Sequence, residues 1–313
     1  MSLRGIRILE PGPFATVQDR GRFGYRSMGV PLSGAMDLQA LRIGNLLVGN
    51  TDSAAGIEIT LGGFRVEFHC DTDFAVTGAQ SGIVIDSGPV PLWQANHARK
   101  GSILTIGPPS GAGLRTYLTI SGGIDVEPVM DSRSTYVRGG FGGFCGRMLR
   151  AGDVLPLGVP QPAALKSSVP SMLIPKYSRE PTLRVIPGPQ DESISEAGRA
   201  AFFSNQYEVT TRADRMGISF SGPVLDLPAG ADIISDGTCP GAVQVHGNGL
   251  PTILGADSQT TGGYVKIAVV ISSDLPLVAQ LAPGDRVRFE KIDLWQAREI
   301  YMRNEYLIRK HFL

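Results

Sequence analysis

The sequence predicts a mainly β protein of two domains. Three observations carry that reading. Short apolar runs alternate with period two. The 40 glycines and 22 prolines fall between those runs with no Gly-X-Y repeat, as turn-rich β structure requires. The 313 residues exceed one average domain, although a single large β barrel also fits the length.

The runs 66–70, 103–106, 116–120, 183–186, 218–220 and 287–289 alternate as half-buried strands do, because side chains point to opposite faces of a sheet in turn. The stretch 264–271 is more continuously apolar and reads as a central strand. Four helices are expected. In 37–48, Leu38, Leu41 and Leu47 share helical spacing, Asp37 is the N-cap and Gly49 the stop. Gly44 costs that helix about 1 kcal/mol against alanine unless something packs close to it. The segments 191–203 and 274–281 follow. In 294–312, Leu294, Ala297, Tyr301, Ile308 and Phe312 form one stripe.

Five prolines in 158–181 interrupt both ladders and helices, so a linker is expected there, dividing domains 1–170 and 171–313 near residue 170. A weak echo joins the halves. Asp19-Arg20-Gly21 resembles Asp214-Arg215-Met216-Gly217, and Gly152-Asp153 resembles Gly284-Asp285. Two related barrels and a chance match of turn residues both account for it.

Basic and acidic residues balance at 29 each, so no large positive field awaits a nucleic acid or an anionic membrane. Residues 1–12 lack the apolar core of a signal peptide. No apolar stretch approaches the roughly 20 residues that span a bilayer. Three widely spaced cysteines suit a reducing compartment, and a soluble cytoplasmic protein is expected. The histidines 69, 97, 246 and 311 have no metal-ligand spacing, and no metal site is expected. Phosphate-loop and dinucleotide fingerprints are missing. Gly237-Thr238-Cys239-Pro240-Gly241 has the outline of a nucleophile elbow but leads into a β-like run, so a cysteine in a turn is the better reading.

Four segments concentrate polar chemistry. The first offers Gln18, Asp19 and Arg22. The second offers Ser132, Arg133, Ser134 and Thr135 before a glycine run. Arginine forks suit carboxylate or phosphate, and glycine lets a backbone approach a ligand; ordinary loop-fixing bonds explain both segments equally well. The third contains Asp214 and Arg215, able either to orient a ligand carboxylate or to form a structural pair. The fourth runs from Gln244 and His246 to Asp257, Gln259, Thr260, Thr261, Gly262, Gly263 and Tyr264. Asp257, Arg215, Arg133, Asp214 and His246 are the candidate catalytic residues, with Asp257 the favoured acid or base. The other residues named in these four segments are candidate substrate ligands. The expectation is that 132–136, 214–217 and 257–264 meet in one cleft.

The same segments carry a family resemblance. The blocks TVQDRGRFGYRSMGVPLSGAMD (16–37), LRIGNLLVGN (41–50), GIEITLGG (56–63), YLTISGGIDV (117–126), SRSTY (132–136), DRMG (214–217), PGAVQV (240–245), DSQTTGGY (257–264) and AQLAPGD (279–285) occur in order. They resemble the family of the C subunit of bacterial ATP-dependent 5-oxoprolinase, also described as KipA-like or allophanate hydrolase subunit 2-like. Related sequence forms half of the carboxyltransferase region of urea carboxylase. The resemblance implies two cyclophilin-like β barrels and two partners, a KipI-like subunit and a LamB/YcsF-like subunit. It implies opening of 5-oxo-L-proline to L-glutamate with ATP, and with Mg2+ through the complex. The alternatives it leaves are a carboxyltransferase component of a biotin-dependent urea or allophanate pathway, and a noncatalytic regulatory subunit of a KipI-like protein. On the first reading, Arg133, Arg215 and the amides of Gly262 and Gly263 would steady an oxyanion or phosphoryl group, and Asp257 would move a proton. Asp131 departs from the family pattern where glycine is common, and His246 where proline is common.

Overall fold

Alternation decides which side chains are buried. In β1 (Gly5–Pro11), Ile6 and Ile8 are fully buried while Arg7 between them is exposed. The computed structural model describes residues 4–161 and 168–312, so the middle of the expected proline-rich linker lies outside the described residues. The chain forms two compact units. One comprises Met1–Phe23, Ser33–Lys176 and Ile308–Leu313; the other comprises Gly24–Leu32 and Tyr177–Leu307.

In the first unit, β1 is followed by β2 (Phe14–Gln18), α1 (Leu38–Leu47), β3 (Gly56–Thr60), β4 (Phe64–Phe68), β5 (Thr72–Gly78), β6 (Ser81–Ile85) and β7 (Gly88–Pro89). Then come β8 (Ala95–Ala98), β9 (Ile103–Pro109), β10 (Arg115–Ile120) and β11 (Val154–Pro156). They pair as two antiparallel sheets, ordered β11-β1-β4-β9-β6-β7 and β2-β3-β10-β5-β8. Val66, Phe68, Leu104 and Ile106 of one sheet share a core with Ile57, Phe74, Val76 and Leu118 of the other. Helix α1 packs on β5 and β10. The Asp37 side chain accepts the Ala40 N–H at 2.9 Å, which makes it the expected cap. Gly44 is explained by the same packing, because a Cβ there would lie 2.9 Å from Thr119 Oγ1.

The second unit contains β12 (Thr182–Pro187), α2 (Glu196–Ser204), β13 (Tyr207–Ala213), β14 (Gly217–Ser221), β15 (Asp232–Gly237), β16 (Ala242–Val245) and β17 (Pro251–Leu254). It continues with β18 (Thr261–Val270), α3 (Leu275–Ala279), β19 (Arg286–Lys291) and most of α4 (Leu294–Phe312). The order β12-β19-β13-β14-β17-β16-β18 returns through a β18–β12 pairing, so the ladder closes on itself; β15 adds to β18. Strand β18 is central, as its apolar run implies. Phe202 stacks on Phe289 at 4.3 Å within the core. The mainly β class is thus borne out, with 36% strand and 18% helix. The helix expected over 191–203 begins later: Asp191–Ser193 is a 3-10 turn, and Ser195 caps α2 by accepting the Gly198 N–H. The helix expected over 294–312 forms at those bounds. Only Ile308 is buried, whereas Leu294 and Tyr301 remain 66% and 45% exposed. Periodicity marks a helix but does not supply a surface for its apolar side.

The echo between the halves is visible in local geometry. Asp19 Oδ1 accepts the Gly21 N–H at 2.8 Å and Asp214 Oδ1 accepts the Met216 N–H at 2.7 Å, the same i+2 turn. Asp153 accepts the Arg150 N–H and Asp285 the Ala282 N–H, each at 2.8 Å. Gly152 and Asp153 bond both ways with Ile8, and Gly284 and Asp285 bond both ways with Val209.

The two Gly-Asp turns differ electrostatically. Arg147 grips Asp153 with two bonds of 2.8 and 2.9 Å, and these hold its carboxyl below the usual range against the opposing pull of desolvation. At Asp285, burial is the main influence and raises the carboxyl. A depressed carboxyl stabilises the fold above its unfolded pKa, near 3.9, and that contribution is lost as pH falls through the folded value. Arg147→Gln is expected to cost about 1 kcal/mol at pH 7 and progressively less below pH about 4. Urea midpoints at pH 7 and pH 3 check this; an equal loss at both would contradict it.

Candidate functional site

Asp19 organises the polar residues of the first unit. Its carboxylate accepts the Ser132 hydroxyl at 2.8 Å, the Arg133 N–H at 2.6 Å, the Gly21 N–H and the Ser134 hydroxyl. Arg22 is fully buried; it donates to the carbonyls of Val129 and Ser134 and lies over the Phe141 ring. Gln18 donates to Thr16 and to the Thr135 carbonyl, and Thr135 donates to the Val17 carbonyl. The Arg133 guanidinium binds the Val126 carbonyl and Asp125. The candidate ligands here are therefore bonded to one another and to the backbone. Asp131 has φ +59°, the left-handed region that glycine occupies without strain.

In the second unit, segments 214–217 and 257–264 do meet. Arg215 and Asp257 form a bidentate pair at 2.8 and 2.9 Å, each residue only 6% exposed. The expected acid or base and the expected oxyanion donor thus hold each other. Segment 132–136 belongs to the first unit.

Beside this pair lies an open pocket of about 490 Å³, lined by Asp214, Met216, Gln244, His246, Leu254 and Gln259 among others. Strand alternation builds its floor. Val243, Val245 and Ile253 enter the core, so Gln244 and Thr252, paired across β16 and β17, face the opposite side. Ser219 pairs with Thr252 on β14, and their hydroxyls are 3.2 Å apart. Gln244 is 1% exposed although it lies away from the core. Its Oε1 accepts from Gln259 Nε2 at 3.4 Å, while its own buried Nε2 has no acceptor among the described residues. Gly262 borders that amide: a Cβ at 262 would lie 2.5 Å from Gln244 Nε2.

His246 packs against the edge of Tyr264 at 4.6 Å, and burial lowers its pKa, so the imidazole is neutral near pH 7. Asp214 Oδ1 is turned to its own turn, accepting the N–H groups of Met216 and Gly217. The Thr260 carbonyl accepts the Thr238 N–H, and Thr261 and Gly262 are in register with Gly237 and Asp236, next to Gly263 in the same ladder. Cys239 lies in the turn between β15 and β16, and desolvation pushes its thiol upward, which disfavours the thiolate.

Of the pocket residues, Arg212 and Thr252 fall inside the third and fourth polar segments without being singled out, and Ser219 is missed. The period-two pattern of β14 and β17 is the signal available for the last two. Among the described residues, no group of three or more His, Cys, Asp or Glu could hold a metal ion. No described helix is long and apolar enough to cross a membrane.

The described residues thus form a mainly β chain of two compact units, with a polar pocket on the face of the second unit's ladder that lies away from the core. The chain belongs to the family described as carboxyltransferase domain, subdomain A and B, whose model matches residues 28–291. It is 38% identical over 292 residues to the C subunit of 5-oxoprolinase from Escherichia coli, covering 93% of each chain. It is 37% identical to that of Haemophilus influenzae, covering 96% of this chain and 95% of the relative. It superimposes on the K. lactis urea amidolyase with a TM-score of 0.93 at 32% identity, covering 98% of this chain but only 20% of that one.

Proposed function

We propose that the chain is one component of an ATP-dependent 5-oxoprolinase. It acts in the cytoplasm with a KipI-like subunit and a LamB/YcsF-like subunit to open 5-oxo-L-proline to L-glutamate, and it is inactive alone. One observation carries this reading: the match to relatives named as the C subunit of 5-oxoprolinase runs over nearly the whole of both chains. The amidolyase likeness reaches one fifth of a larger protein and supports shared ancestry of the scaffold. We further propose that the halves on either side of residue 170 are related domains, a reading supported by their matching aspartate turns.

The buried Arg215 fork expected to take phosphate does not fit ATP, because two of its N–H groups are bonded to Asp257. Arg133 is tied to Asp125. The nucleotide with its Mg2+ is held by the partner proteins on this reading. The reading is tested by glutamate formation from 5-oxo-L-proline and ATP in the three-part complex. Omitting this chain should reduce glutamate to background. Undiminished glutamate without it would overturn the proposal, and biotin-dependent carboxylation of urea would favour the carboxyltransferase alternative.

A further inference from the structure

We infer that the pocket on the outer face of β14, β16 and β17 holds a lactam by its ring carbonyl, with Gln244 Nε2 as donor and Arg212 at the rim taking an attached carboxylate. The inference rests on the 5-oxoprolinase reading for its choice of probe, and on the pocket alone for its chemistry.

The bond from Gln259 to Gln244 Oε1 orients the Gln244 carboxamide. The oxygen is committed to a neighbour and the NH2 group is left as a donor. That nitrogen is buried on a residue 1% exposed and has no acceptor among the described residues. A buried donor left unsatisfied forfeits its hydration with nothing in return. A ligand carbonyl would recover that loss, whereas an ammonium or a guanidinium would not. A neutral His246 and the Asp214 carboxylate line the same pocket and offer acceptors to a lactam N–H. Met216 and Leu254 provide an apolar wall for ring methylenes. Arg212 also lines the pocket, and it is exposed. A rim cation of this kind selects an acidic lactam over a neutral one. The pocket's size, about 490 Å³, lies within the range of small-molecule sites.

The test is calorimetric titration of the full chain with 5-oxo-L-proline, 2-pyrrolidinone and L-proline, which lacks the ring carbonyl. Both lactams should bind, the acidic one more tightly, and L-proline should not. Gln244→Met should weaken both lactams about tenfold while leaving the unfolding temperature unchanged or higher, because it removes an unsatisfied donor. A residue serving only the fold would show the opposite pattern. Arg212→Gln should weaken 5-oxo-L-proline alone. Absence of lactam binding, equal binding of L-proline, or unchanged affinity in Gln244→Met would overturn the inference. Lactam binding without glutamate formation by the complex would instead remove the enzyme reading and leave the site standing. Turnover with a KM unmoved by Gln244→Met would remove the site and leave the enzyme.

Discussion

Asp257→Asn is expected to destabilise the protein by about 3–5 kcal/mol, because it strands a buried guanidinium. Arg215 and Asp257 meet through two bonds of 2.8 and 2.9 Å, and both residues are 6% exposed. An asparagine amide can accept one of those bonds but supplies no charge to offset the arginine. Replacing both partners by apolar residues of similar volume, Arg215→Met with Asp257→Leu, should recover most of the loss, since the desolvation cost of both ions disappears together. Urea midpoints for the single and double variants decide the matter. Were Asp257→Asn to unfold like the parent and yet lose turnover in the complex, the carboxylate would belong to the chemistry instead.

Asp19→Ala is expected to cost a comparable amount, about 3–5 kcal/mol. One carboxylate accepts the Gly21 and Arg133 N–H groups and the Ser132 and Ser134 hydroxyls, joining loops more than a hundred residues apart in sequence. Alanine removes the acceptor of the Gly21 and Arg133 N–H groups and leaves the Ser132 and Ser134 hydroxyls, 3.0 Å apart, only each other. The local effect should be a loosened 131–136 loop, read as faster amide exchange at Arg133 and Ser134. Unaltered exchange and an unaltered urea midpoint would contradict the structural role given to this carboxylate.

Much of the fold is legible in the sequence because it follows from local rules. Period two locates β4, β9, β10 and β19, and the Asp37 cap locates α1. Gly44 signals a close neighbour, and Thr119 is that neighbour. The paired Asp-turns are visible as an echo because a side chain bonding its own backbone two residues on needs no distant partner. Long-range pairing is not legible. Asp257 and Arg215 stand 42 residues apart, and composition does not distinguish two charges facing a ligand from two facing each other. The same limit applies to Arg133, whose guanidinium is bound by Asp125 and the Val126 carbonyl. For α4, the apolar stripe correctly signals a helix, but burial depends on a packing surface, and only Ile308 finds one. Gln244 stands out by its neighbourhood in sequence. Its orphaned amide emerges only once β16 and β17 set its direction.

The amide-binding role of the second unit is tested most directly by Gly262→Ala. The backbone at 262 lies outside the left-handed region, so alanine adds no backbone strain there. Its Cβ would fall 2.5 Å from Gln244 Nε2, the movable end of that side chain, and would displace the amide from its present position. The unfolding temperature should stay within about 3 °C of the parent, roughly 1 kcal/mol. The KM for 5-oxo-L-proline in the reconstituted complex should rise about tenfold, the loss of one donor worth about 1.4 kcal/mol. A KM equal to the parent's in a folded Gly262→Ala complex would contradict the account.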